Sequence, residues 1–152
     1  MANINNIVEE IVSRWEVDAI IEPMEIEKAC LEIPKLHSRY LRMLSAWKTK
    51  KTMLTKKLHE LKDIKSRYWS GKMDKDELQK YGWKQWQQIK PSKTEMDMMF
   101  AADPDVSNIN VQLDGCETII YVLESVMNQI NARNFTISNY IKMKMFNRGD
   151  TM

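Results

Sequence analysis

Glycine, proline, cysteine and histidine are all scarce in this chain of 152 residues, and each scarcity excludes a class of protein. The four glycines, Gly71, Gly82, Gly115 and Gly149, are too scattered to build a GxxxxGK[ST] or GxGxxG loop around a phosphate. Cys30 and Cys116 stand alone, without CxxC or metal-ligand spacing, and read as reduced, partly buried thiols in a cytosolic setting. His37 and His59 fall 22 residues apart on one proposed helix, so they cannot share a metal within a single chain. There is no apolar run of about 20 residues and no basic-then-apolar leader, so nothing marks the chain for a membrane or for export. Carboxylates stand where helix surfaces and caps need them, and no acid, base and nucleophile are set together. The expectation is a protein that is not an enzyme and needs no cofactor or metal.

What the chain does have is helix-forming sequence. Leu, Ile, Met, Lys and Glu are abundant and β-branched runs are short, which predicts an all-α protein of one domain. Its organising stretch runs from Pro34 to Gly71 without an internal proline or glycine. Apolar side chains recur there in steps of three and four at Tyr40, Met43, Trp47, Leu54, Leu61, Ile64 and Tyr68, interrupted by Lys50 and Lys57. Between Lys35 and Lys72 twelve Lys and Arg face only Glu60 and Asp63, whereas residues 1–34 carry eight carboxylates against Arg14 and Lys28. The small net charge of +2 therefore conceals a basic rod between acidic ends.

Flanking elements follow from the same periodicities. Ile4, Ile7, Val8, Ile11 and Trp15 share a helical face, predicting an amphipathic helix over residues 3–17 and a connection from Asp18 to Glu22. Pro23 opens a second helix, and Pro34 either separates it from the basic helix or only kinks one continuous helix. Ser70-Gly71 ends the basic helix. Asp74 with Glu77, then Ser92 with Glu95, read as capping boxes for short helices stopping at Gly82 and at the Asp103-Pro104 turn. The last long helix is expected to begin between Asp105 and Asn110 and to stop at Asn134, with a short helix and a loose tail after Asn147.

The organisation expected is thus acidic helices over 1–34, the basic helix over 35–71, short helices over 74–104 and C-terminal helices over 105–147. Leu113, Cys116, Ile120, Leu123, Met127 and Ile130 form a stripe that Ile119, Val122 and Val126 widen beyond a two-helix seam. Such a stripe needs more than one partner helix. With Phe135 and Ile141 of the final helix, it is the expected oligomerisation surface.

The basic helix carries the function. Like charges surrounding a helix repel unless something anionic offsets them, either a polyanion or an acidic neighbour. Tyr68 and Trp69 end the helix beside Lys65, Arg67 and Lys72, and rings beside cations suit single-stranded nucleic acid, where bases stack and phosphates meet charge. Trp69 is the better stacking candidate, because Tyr68 lies on the apolar seam. A duplex reader lacks its capped recognition helix. The expected DNA-binding set is Lys56, Lys57, Lys62, Lys65, Arg67, Tyr68, Trp69 and Lys72. The other reading is a helical scaffold or adaptor whose basic helix docks an acidic protein and never meets nucleic acid. A phosphate-handling enzyme is a third and weaker alternative, for want of a glycine loop and paired acid and base.

Five segments in order, LEIPKLHSRYLRM, YWSG, KYGW, MDMMFAADPDV and INARNFTISNYIKMKMF, resemble the UvsY family of phage recombination mediator proteins, from about Ile11 to Phe146. The resemblance implies an elongated helical protomer in a ring-like homo-oligomer of six or seven copies. It implies binding to single-stranded DNA, weakening of the hold of the phage single-strand-binding protein, and help to a UvsX-type recombinase, in the cytoplasm of the infected bacterial host. Recombination-dependent replication and repair are the settings it implies. The family places its DNA-contacting cations just before the Tyr-aromatic-Ser-Gly turn. Here Lys65 keeps a basic group, Asp63 stands where another is expected, and Lys62 and Arg67 are the candidates to compensate.

Overall fold

A computed structural model describes residues 3–149, and among these it contains six α-helices and no strand, as the composition leads one to expect. Helix α1 is Ile4–Asp18, its first turn capped by the Asn3 side chain, which accepts the Asn5 N–H at 3.0 Å. A 3₁₀ turn, Pro23–Glu25, leads into α2, Ile26–Trp69. Pro34 lies inside α2, so the proline neither separates two helices nor ends one. It removes the N–H that would meet the Cys30 carbonyl, but Cys30 and Pro34 are both exposed and water can take that place. Ile33 and Leu36 on either side pack into the core and hold the helix through the gap.

Packing divides the chain into two compact units. One is formed by the chain up to Thr49 together with that from Cys116 onward. Its core joins Ile11 of α1, Leu36, Tyr40 and Leu44 of α2, and Ile119, Ile120, Leu123, Val126, Met127 and Ile130 of α5, which is Pro104–Asn131. The α2 contribution advances in steps of four, and the Trp15 ring meets Tyr40 edge-on at 5.6 Å. The Tyr40 hydroxyl, carried into this interior, donates to Asp18 at 2.8 Å, and Arg39 reaches the same carboxylate at 2.9 Å. Helix α6, Arg133–Asn147, joins through Ile137 and the buried Arg133, which donates to the carbonyls of Ala19 and Ile20 just beyond α1. The helix break falls at Ala132, next to this anchor. Asn134 is therefore inside the first turn of α6 and does not terminate the preceding helix. The tail expected after Asn147 lies, beyond Gly149, outside the described residues.

The other unit is Lys50–Gly115. There α2 ends in a left-handed turn at Gly71, φ +68°, with Lys72 N–H on the Arg67 carbonyl and Gly71 N–H on that of Tyr68. Helix α3, Lys75–Tyr81, is capped by Asp74 and closes in the same way at Gly82. Only half of the expected capping box forms there, because the Glu77 carboxylate is engaged by Arg67. Ser92 and Glu95 form the full box at α4, Lys93–Ala102. Helix α5 starts at Pro104, ahead of the expected interval, because Asp103 caps it through the Val106 N–H at 3.0 Å and proline suits a first turn.

Candidate nucleic-acid interface

The basic stretch ends in the Lys50–Gly115 unit, where Leu54, Leu58, Lys65 and Trp69 follow one another in steps of four, seven and four. That spacing keeps one helical face, and the face is packed: the two leucines and Trp69 are buried. Lys65 therefore points inward with them. Its Nζ lies 3.0 Å from Asp103 Oδ1, 3.3 Å from Asp105 Oδ2 and 5.1 Å from the centre of the Trp83 ring. The side chains of Lys65 and Asp103 are only 13% and 9% exposed. Burial by itself would lower the lysine pKa, but the hydrogen bonds and charges of the two aspartates outweigh it and raise the value.

Arg67 is also committed within the unit. Its Nη1 donates to Glu77 at 2.6 Å and its Nε to Asp63 at 3.3 Å, with the Glu77 bond the largest cause of its raised pKa. Asp63 is thus an anchor for Arg67. The expected stacking role of Trp69 is corrected by its surroundings: the ring is buried against Phe100, 5.3 Å between centres, with Lys62 Nζ 5.5 Å from the same phenyl ring. Tyr68 is half-buried between Trp83 and Trp86, and its hydroxyl donates to the Lys84 carbonyl at 2.8 Å. Lys56 makes only a loose 3.9 Å pair with Glu60 on an exposed surface, Lys57 and Lys72 are exposed, and Lys62 is partly so. Of the eight expected residues, four cations face solvent while Lys65, Arg67, Tyr68 and Trp69 build the unit.

A second aromatic pair in this unit is flanked by lysines that face solvent. The rings of Tyr81 and Trp83 stack at 4.8 Å and 23°, both half-exposed, with Lys80 Nζ 5.5 Å from the centre of the Tyr81 ring and Lys84 next in the chain. The left-handed Gly82 between them, φ +69°, folds the Trp83 N–H back onto the Leu78 carbonyl and so brings the rings together. An aromatic-glycine-aromatic triplet flanked by lysines was the available signal.

The expected oligomerisation set divides as well. Cys116, Ile120, Leu123, Met127 and Ile130 are buried, the last four in the core that α5 shares with α1 and α2. The wide stripe thus finds its several partner helices within its own chain and is no outward face. Leu113 is partly buried. Phe135 and Ile141 are exposed on α6, as are Met143 and Phe146. Among the described residues no group of three or more His, Cys, Asp or Glu could hold a metal, and no helix is long and apolar enough to cross a membrane.

Comparison with known proteins places this architecture. No curated protein matches the chain by sequence. Two crystal structures of the bacteriophage T4 recombination mediator protein UvsY, in different lattices, superpose with a TM-score of 0.77 at 19% identity. They cover 92% and 91% of this chain and 96% and 98% of theirs, so the fold is shared essentially end to end. The model of the family described as recombination, repair and ssDNA binding protein UvsY matches residues 14–150, and the chain belongs to that family.

Proposed function

We propose that this protein is a recombination mediator that binds single-stranded DNA, loosens a phage single-strand-binding protein from it and promotes loading of a UvsX-type recombinase. The observation that carries the reading is the family match across nearly the whole chain. In the Lys50–Gly115 unit, the exposed Lys56, Lys57 and Lys72 and the partly exposed Lys62 meet phosphates, and the Tyr81–Trp83 stack, beside Lys80 and Lys84, offers ring surface to a base. Lys65 and Arg67 act through position, holding the end of α2 against α3 and the start of α5. Each chain's contacts are few and weaken steeply with salt. A ring of six or seven copies turns later contacts on one strand into intramolecular ones, raising avidity by about 10²–10⁴. The exposed apolar side chains of α6, Phe135 and Ile141 with Met143 and Phe146, serve that assembly. Binding of this kind needs no catalysis, and it takes place in the cytoplasm of the infected host.

Fluorescence anisotropy of a labelled single-stranded oligonucleotide and its duplex, from low to physiological salt, tests the proposal. Tighter binding of the single strand that survives physiological salt is expected. No binding, or equal binding of both only at low salt, would transfer the basic surface to an acidic protein partner and make the chain an adaptor.

A further inference from the structure

A cluster of arginine lines a groove in the unit formed by the chain up to Thr49 and from Cys116 onward, on residues not used in the proposed function. Arg14 of α1 and Lys35, Ser38, Arg39, Arg42, Met43 and Ala46 of α2 line a groove of about 710 Å³. On α2 the polar members are spaced by three, four and seven residues from Lys35, which sets them on one helical face, and Arg14 stands across from them on α1. Four cations line this groove and no carboxylate does.

Three of the four differ in state from Lys65 and Arg67. Arg39 is fixed in place by Asp18 at 2.9 Å, and that carboxylate also accepts the Tyr40 hydroxyl, so one guanidinium is oriented before any ligand arrives. Arg14, Lys35 and Arg42 are exposed, and no carboxylate pairs with them among the described residues. Three cations without a carboxylate beside a fourth already paired are unfavourable unless an anion shares them. Met43 and Ala46 add apolar surface beneath the charges.

We infer that this groove is a second binding site for the phosphodiester backbone of single-stranded DNA, with Arg14, Lys35, Arg39 and Arg42 as phosphate contacts. The argument is one of fit. Lys35 and Arg42 lie about 10 Å apart along the helix at 1.5 Å per residue. That is about three nucleotide steps at the 3.4 Å axial rise of one stacked strand. Guanidinium groups present paired N–H donors to phosphate oxygens, as exposed lysines do not. The Met43 and Ala46 surface accepts a sugar or the face of an unpaired base, which a duplex keeps stacked inside. The inference rests on the reading that the protein binds single-stranded DNA and adds a contact set that the basic helix end does not contain.

The test is the salt dependence of oligonucleotide binding by the full chain carrying Arg14→Ala and Arg42→Ala, both exposed and outside the core. Losing two phosphate contacts lowers the slope of log K against log salt by about 1.4, so the affinity ratio between 50 and 200 mM salt shrinks about sevenfold. The charge-preserving pair Arg14→Lys and Arg42→Lys restores the slope. If the wild-type chain binds and the alanine pair, at native mass, keeps both affinity and slope, the groove is not a DNA site while the proposed function stands. A wild-type chain that binds no oligonucleotide overturns both. Phenylglyoxal modification of the wild-type protein, mapped by peptide mass, gives a reading independent of the variants. Oligonucleotide should protect Arg14 and Arg42, whereas protection by deoxynucleoside triphosphate alone, or equally by polyglutamate, would assign the groove to a free nucleotide or an acidic protein and overturn the inference.

Discussion

Replacing Lys65 by Met keeps the aliphatic stem but removes the ammonium that faces Asp103 and Asp105 in the Lys50–Gly115 unit. Asp103 is then a carboxylate at 9% exposure without its cation, while Asp105, at 69%, rehydrates. Breaking a buried pair from one side costs about 3–5 kcal/mol, and the open Asp105 side places this one near 3 kcal/mol. For a chain of this size each kcal/mol moves the melting midpoint by about 2–4 °C, so Lys65→Met should melt about 6–12 °C below wild type at equal protein concentration. Adding Asp103→Asn supplies the rescue. Asparagine still caps α5 through the Val106 N–H but leaves no buried charge, and the double variant should recover at least half of the loss. Circular dichroism reads the midpoints, and anisotropy on the double variant reads the DNA salt slope, which should equal that of wild type. A Lys65→Met protein with a native midpoint and a slope lowered by about 0.7, the value of one phosphate contact on a single strand, would refute the reasoning and return Lys65 to the DNA.

Other outcomes follow from the same contacts. Stability should fall as pH rises above about 10, because Tyr40 and Lys65 both have raised pKa values in the fold. The unfolded chain releases their protons first, so their contribution is complete below the unfolded values and is lost as pH climbs through the folded ones. Tyr40→Phe should flatten the alkaline decline of the melting midpoint, and an unchanged decline would remove Tyr40 from it. Trp83→Leu should abolish most of the tryptophan quenching by oligonucleotide, whereas Trp69→Phe should leave it intact; the opposite pattern would restore Trp69 as the stacking ring. Phe135→Ser with Phe146→Ser should reduce mass per particle in light scattering. Each buried phenyl contributes about 1.5–3 kcal/mol, so two lost at an interface weaken it about a hundredfold or more. Unchanged mass in that variant would exclude this face of α6 from assembly.

Helix type and most of the ends were legible because they rest on local chemistry: Asp74 and Ser92 as caps, Gly71 and Gly82 as left-handed stops, apolar spacing on α1 and α5. What was not legible depends on which face of α2 is buried, and there the margin is narrow. A strict alternation of three and four leads from Leu54 to Leu61, Ile64 and Tyr68, while the buried line leads from Leu54 through Leu58 to Trp69, rotated by one residue. That rotation moves Lys65 from outside to inside, exchanges Trp69 for Tyr68 in the interior, and makes Asp103 a necessary partner instead of a turn residue. The wide α5 stripe misled for a related reason: periodicity measures how much apolar surface needs cover, and says nothing of whether α1 and α2 or another copy supplies it. Charge composes in the same way. The count of twelve basic side chains was correct, but a cation is available to DNA only where the fold has left it without a carboxylate. By that measure, Lys65 and Arg67, the most conspicuous pair in the sequence, belong to the fold, and Arg14 and Arg42 along the α1–α2 groove are among those left to a ligand.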